Sequence, residues 1–267
     1  MKKYFSFFRI QFVNGLQYRT AAYAGVVTQF AWGMMEVLMF RAFYISNPAS
    51  FPMEFSALSS YIWLQQALLA MFNMWSMDKD IFSSISQGTI AYELSRPLDI
   101  YTMWMSKTLS ARFSQALLRA VPILLISPLL PKPYGLSLPA GGLNFLLFLV
   151  TFVFGAVLVA AFCMLIYISA FYTISPMGVR AVMTSVTEFM TGALIPLPMF
   201  PDKVRRLLEL TPFACMQNVP LRIYSGNISG REMLQAVALQ LFWLCVLIGV
   251  GKLWMKRALR KVVVQGG

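Results

Sequence analysis

Histidine is absent from the 267 residues. That removes histidine-based metal sites, hydrolytic triads built on imidazole and the commonest proton shuttle. Charge is scarce as well: 12% of residues are charged, where a soluble domain carries about a quarter. Acid is the scarcer sign, with 10 Asp and Glu against 22 Lys and Arg, for a net charge of +12. Cysteine occurs three times, at Cys163, Cys215 and Cys245, an odd and scattered set that makes neither a disulfide framework nor a zinc site. The start lacks the short apolar core and small-residue cleavage site of a signal peptide, so the chain is expected to keep it.

What is present is oil. Hydrophobic residues make up 58% of the chain, and the fold class this implies is an all-α, polytopic membrane protein, one domain over residues 1–267. A bilayer core takes about 20 apolar residues per helix. Six runs qualify: 21–45, 57–77, 113–131, 141–171, 181–200 and 233–254. Residues 2–18 read as an amphipathic helix lying in the headgroup layer. Tyr4, Phe5, Phe8, Phe12 and Leu16 form its membrane face and Lys2, Lys3, Ser6, Arg9 and Gln17 its other face, with Ile10 and Val13 as exceptions. The positive charge is explained by membrane topology rather than by nucleic acid. Fifteen basic residues fall on one side of the six runs: Lys2, Lys3, Arg9, Arg19, Lys79, Arg96, Lys107, Arg112, Arg119, Arg180, Lys252, Lys256, Arg257, Arg260 and Lys261. Six fall on the other: Lys132, Lys203, Arg205, Arg206, Arg222 and Arg231. The expectation is a cell-membrane protein with both termini in the cytoplasm.

The longest polar interruption, 77–112, lies on the cytoplasmic side of this scheme. Asp78 and Asp80 are placed to cap a short helix containing Ile81, Phe82 and Ile85, and Gly88 is placed to stop it. Pro97 and Asp99 mark a second helical start. On the opposite side, Pro196, Pro198 and Pro201 break the fifth run. Residues 194–224 then read either as a segment dipping back into the outer leaflet or as a surface helix.

Polar side chains inside spans are costly and turn toward a bundle interior or a water path. Gln29, Gly33 and Glu36 share a face of span 1. Ser59, Gln66 and Asn73 repeat every seven residues in span 2, and Thr184, Glu188 and Thr191 form a stripe in span 5. Gln29, Glu36, Gln66, Asn73, Thr184, Glu188 and Thr191 are therefore candidates for a translocation path, with adhesion between helices as the plainer alternative. No nucleotide loop is visible. Gly251-Lys252 has Val246 and Leu253 where such a loop needs glycine and a hydroxyl residue.

Two motifs carry a family resemblance. Residues 86–100, SQGTIAYELSRPLDI, contain the pattern Gly–x–Ile…Leu–x–Arg–Pro. Residues 191–213, TGALIPLPMFPDKVRRLLELTPF, are followed by Pro220 and Ile223-Tyr224-Ser225-Gly226. Together with the order of spans, they resemble the membrane subunit of type-two ABC exporters, although Thr191 stands where a smaller residue is the pattern. The resemblance implies that Asp80, Ile81, Phe82, Ser83, Ser84, Ile85, Ser86 and Gln87 form a coupling helix seated on a cytosolic ATPase. It implies two ATPase subunits that hold the ATP and magnesium, no cofactor on this chain, and a second permease copy or paralogue. The cargo implied is hydrophobic or amphipathic, and the segment after span 5 re-enters the membrane. The competing reading is an ion-coupled transporter or channel using Glu36 and Glu188.

Overall fold

The computed structural model of the chain describes residues 2–17, 19–173 and 175–260, and all their side chains except those at 19–21 and 50. Lys261, counted above among the tail charges, lies outside the described residues, as does position 18 at the end of the interfacial segment. Among the described residues every regular element is helical. In chain order these are α1 (Lys2–Gly15), α2 (Arg19–Ser46), α3 (Phe55–Ala67), α4 (Leu69–Phe72), α5 (Lys79–Ser86), α6 (Ile90–Leu94), α7 (Ile100–Ile126), α8 (Gly142–Ser169), α9 (Pro176–Met190), α10 (Asp202–Glu209), α11 (Pro212–Met216), α12 (Asn218–Tyr224) and α13 (Gly230–Leu259).

Among the described residues three helical stretches are long and apolar enough to cross a membrane: Ile100–Leu129, Gly142–Ser169 and Gly230–Leu259. The second and third coincide with the fourth and sixth apolar runs. The first begins 13 residues before the third run (113 − 100). Asp99 is the cause: its carboxylate accepts from the backbone N–H and the hydroxyl of Thr102, capping α7 well ahead of the apolar stretch. Arg112 and Arg119, counted as loop charges in the topology argument, therefore sit inside a helix. The helix α2 is as long as a span but carries Gln29, Glu36 and Arg41.

The second and fifth runs end early. The α3–α4 rod shifts register at Leu68 and stops at Asn73, whose backbone turns extended. The 15-residue α9 stops at the Thr191–Gly192 turn, and its length of about 22 Å falls short of a ~30 Å hydrocarbon layer. Chain released at such points has carbonyls with no helical partner, and a membrane interior offers no water to take them. Side chains of neighbouring helices supply the donors. From α7, Arg112 Nη1 reaches Met71 O at 2.9 Å and Asn73 O at 2.6 Å, and Nη2 reaches Cys163 Sγ of α8 at 3.3 Å. From α13, Gln240 Nε2 bonds Cys215 O and Thr151 O, both at 2.8 Å. From α3, Gln65 Nε2 holds Ala193 O at 2.8 Å, and from α8, Asn144 Nδ2 holds Ile223 O at 2.9 Å.

Glycine matters where backbones touch. A side chain on Gly155, halfway along α8, would collide with the Met216 carbonyl, so α11 and α12 lie hard against the middle of that helix. Cys215, Met216, Leu221 and Ile223 are fully buried there.

Loops assigned to one side by sequence meet at one end of the bundle. Ala140 N–H bonds Tyr224 O, Ser137 N–H bonds the Ser60 hydroxyl, and Asn227 reaches Pro52 O. Arg222 pairs with Glu209 in the same region. At the opposite end lie α5, α6 and the start of α1. The α1 helix does not stand apart: it runs alongside the first half of α7, from the Tyr4 hydroxyl at Asp99 N–H to Gly15 at Ser114, with Phe8 packed on Phe113. Its aromatic face is turned partly to protein rather than wholly to lipid. Phe5, Ile10 and Val13 remain exposed.

Arg112 is 3% exposed and joins three helices, so Arg112→Leu should lower unfolding stability by about 2–3 kcal/mol through orphaned carbonyls. Denaturation of the purified chain in detergent checks this, with exposed Arg257→Gln as the silent control. Equal midpoints for Arg112→Leu and the native chain would show that the carbonyls find other donors.

Candidate functional site

The helix α5 forms where the sequence places it. Asp78 Oδ1 accepts from Asp80 N–H at 2.8 Å, and the helix ends before Gly88, which adopts φ +75°. Its faces are strongly unlike. Ile81, Phe82 and Ser84 are buried, while Asp80, Ser86 and Gln87 are exposed and Ser83 and Ile85 are half-buried. The buried face packs inward. The Phe82 ring meets Tyr167 of α8 edge-on at 5.0 Å, and Tyr167 meets Trp104 of α7 at 6.1 Å.

Polar bonds complete the attachment. Asp78 N–H donates to the Tyr167 hydroxyl at 2.7 Å, and Lys107 of α7 lies 2.7 Å from Asp78 and 3.9 Å from Asp80. In the following turn, Trp104 Nε1 donates to Glu93 of α6 at 2.5 Å. The helix is thus fastened to α7 and α8 from its inner side. Its outer side presents Asp80, with a side chain 89% exposed, then Ser86 and Gln87, and just beyond them Tyr92 at 76%. Ile81, Phe82 and Ser84 are turned into this chain, which leaves Asp80, Ser83, Ile85, Ser86 and Gln87 of the 80–87 set at least partly accessible.

The candidate path residues separate into groups. Gln66 Nε2 donates to Glu36 Oε2 at 3.2 Å, joining α3 to α2, with the rings of Phe30 and Trp63 4.9 Å apart on the same contact. Gln29 lies two turns away on α2, buried. Asn73 belongs to the end of α4: its Nδ2 bonds Leu69 O, its Oδ1 accepts from Ser76 N–H, and its carbonyl is held by Arg112. Thr184, Glu188 and Thr191 are on α9 and its cap, where Thr191 bonds the Glu188 carbonyl. No bond joins Glu188 to Glu36, and Arg41 neutralises neither: its guanidinium lies over the rings of Phe55, Tyr44 and Tyr134, 5.1 to 5.9 Å from their centroids. Gly251 and Lys252 sit inside α13, with Gly251 against the Tyr101 ring. A regular, packed helix cannot cradle phosphates with its backbone N–H groups, since those are used internally.

Arg112, Gln240 and Tyr167 carry structural weight that periodicity did not single out. Arg112 and Gln240 had a readable signal, a strong donor within or beside an apolar run. Tyr167 had none, since one tyrosine in an apolar helix is unremarkable.

The two faces of α5 respond differently to change. Phe82→Ala should cost about 3 kcal/mol or more, as for large-to-small changes in a core. Ile81→Asp should prevent stable folding, whereas Gln87→Ala should melt like the native chain. Thermal denaturation in detergent separates them, and equal effects on both faces would contradict the observed burial.

The profile of a family described as ABC-2 family transporter protein matches residues 30–266. No curated protein matches the chain. The matched region takes in α5, both sequence motifs and the three membrane-length helices, and on that match the chain belongs to the ABC-2 family of transporter membrane proteins.

Proposed function

We propose that this chain is the membrane subunit of an ATP-driven exporter, moving or flipping a hydrophobic or amphipathic substrate with energy supplied by a separate cytosolic ATPase. Family membership supports a permease working with ABC ATPase subunits. The observation that carries the finer reading is the attachment of α5: a short helix at one end of the bundle, locked on its inner face by Phe82, Asp78, Tyr167 and Lys107, and polar on its outer face. ATP binding can move a permease only if its two states contact the ATPase differently. A helix clamped to α7 and α8 passes that difference on as rigid-body displacement. The partner surface in this reading is Asp80, Ser83, Ser86 and Gln87, extended by Tyr92.

The same proposal places α5 and both chain ends in the cytoplasm of a cell-membrane protein with six passes. Two of the passes are formed by the broken α3–α4 rod and the short α9. The α11–α12 segment re-enters from the outer face to the level of Gly155. Two ATPase subunits bind ATP and magnesium, and a second permease, identical or paralogous, completes the path. The thin packing of α9 on its own chain, with Val182, Val186 and Phe189 exposed, supports a second subunit there. Glu36, Gln66 and Gln29 border the path on the α2 side, and Glu188 borders it on the α9 side.

Reconstitution of the chain with its ATPase and any paired permease tests the proposal. Hydrolysis should rise when the chain is present. Tyr92→Ala and Gln87→Ala should weaken ATPase association without changing the melting midpoint, the tyrosine by about tenfold or more. Hydrolysis indifferent to the chain, together with uptake driven by a proton gradient, would instead favour ion coupling through Glu36 and Glu188.

A further inference from the structure

Arg119 lies on α7 seven residues beyond Arg112, about 10 Å further along the helix axis. It is half-buried and makes no hydrogen bond, ion pair or ring contact with any described residue. No carboxylate is positioned to neutralise it: α7 contains none, and the single acid of α2, Glu36, is engaged by Gln66. An unpaired cation within a membrane-spanning helix is costly and marks function.

The facing helix leaves room for it. A Cβ on Gly25 of α2 would lie 2.9 Å from the Arg119 guanidinium carbon, so the missing side chain is the space the guanidinium uses. Gln29 is one turn further along the same face of α2. Side chains on a helix lean toward its N-terminus, which directs the Gln29 amide back toward Gly25. Gln29 is 4% exposed, and neither its Nε2 nor its Oε1 has a partner.

We infer that Arg119, seated over Gly25 with Gln29 one turn along, binds the anionic group of an amphiphile, a phosphate or a carboxylate, since an anion reaching a membrane-spanning helix comes on an apolar body. A guanidinium fork matches both oxyanions in two-point hydrogen bonding. The Gln29 Nε2 adds a donor that is otherwise wasted. This names a substrate class for the exporter and rests on that proposal only for the use of the site. A resident acidic phospholipid presents the same chemistry.

Binding is measured on the full chain, purified in neutral detergent without any ATPase, by quenching of tryptophan fluorescence with brominated acyl chains. The probes are phosphatidylglycerol and palmitate, with phosphatidylcholine as the zwitterionic reference. The native chain should prefer both anions. Arg119→Gln should weaken them by about tenfold or more, the loss of a charge-assisted hydrogen bond. Arg119→Lys should retain part of the preference, and Gly25→Leu should abolish it by displacing the guanidinium. Arg257→Gln on α13 should change nothing. Should Arg119→Gln fail to fold, Gly25→Leu and Gln29→Leu decide the matter. An anion preference unchanged in folded Arg119→Gln, or in both of these alternates, overturns the site. Adding ATPase and ATP separates the sources: release during turnover marks cargo, and retention marks resident lipid. Failure of the ATPase to associate would remove the exporter reading and leave the site standing, since binding is read without it.

Discussion

Main-chain carbonyls set free where helices break are the constraint on which this architecture rests. In water such groups are cheap; in a membrane interior each one needs a protein donor. Arg112, Gln240, Gln65 and Asn144 are those donors, and each bonds a carbonyl in a different short helix or break. Two indoles do similar work, Trp63 at Tyr134 O and Trp243 at Leu210 O. The long helices α7, α8 and α13 thus serve as regular columns from which shorter, broken pieces are hung by side-chain bonds. The arrangement also explains why so apolar a chain keeps strong donors deep inside it.

Much of this was legible in the chain itself. The caps and stop of α5, the extents of α8 and α13, and the grouping of loops at two ends follow from local signals: a capping carboxylate, a glycine, an unbroken apolar run. Where each run stops was less legible. Residues 73–77 and 191–200 continue largely apolar sequence, and what holds the chain released there is distant in sequence. Arg112 takes the carbonyl of Asn73 from 39 residues away, and Gln65 takes that of Ala193 from 128 away. Periodicity within one segment has no access to such pairings.

The polar stripes show the same limit. Gln66 of α3 bonds Glu36 of α2, and Gln29 lies two turns from Glu36 on α2, a meeting of two stripes that spacing within one span does not give. Asn73 continues the seven-residue repeat in sequence but not in space, because the helix has already ended at Phe72. In α5, regular spacing identified the amphipathic face, and all of 80–87 was expected to meet a partner. The apolar side is taken by Tyr167 and its neighbours, leaving Asp80 and Gln87 outward with Tyr92 exposed beyond them.

The lengthwise seat of α1 on α7 also bears on how the molecule is made. Tyr4 and its partner Asp99 are 95 residues apart. At ~5–20 residues per second of synthesis, α1 leaves the ribosome roughly 5–19 s before the surface it packs on exists. During that interval Phe8 lacks Phe113, its ring partner on α7. The α1 helix is thus made uncovered on the side that α7 later takes, and its packing waits for α7.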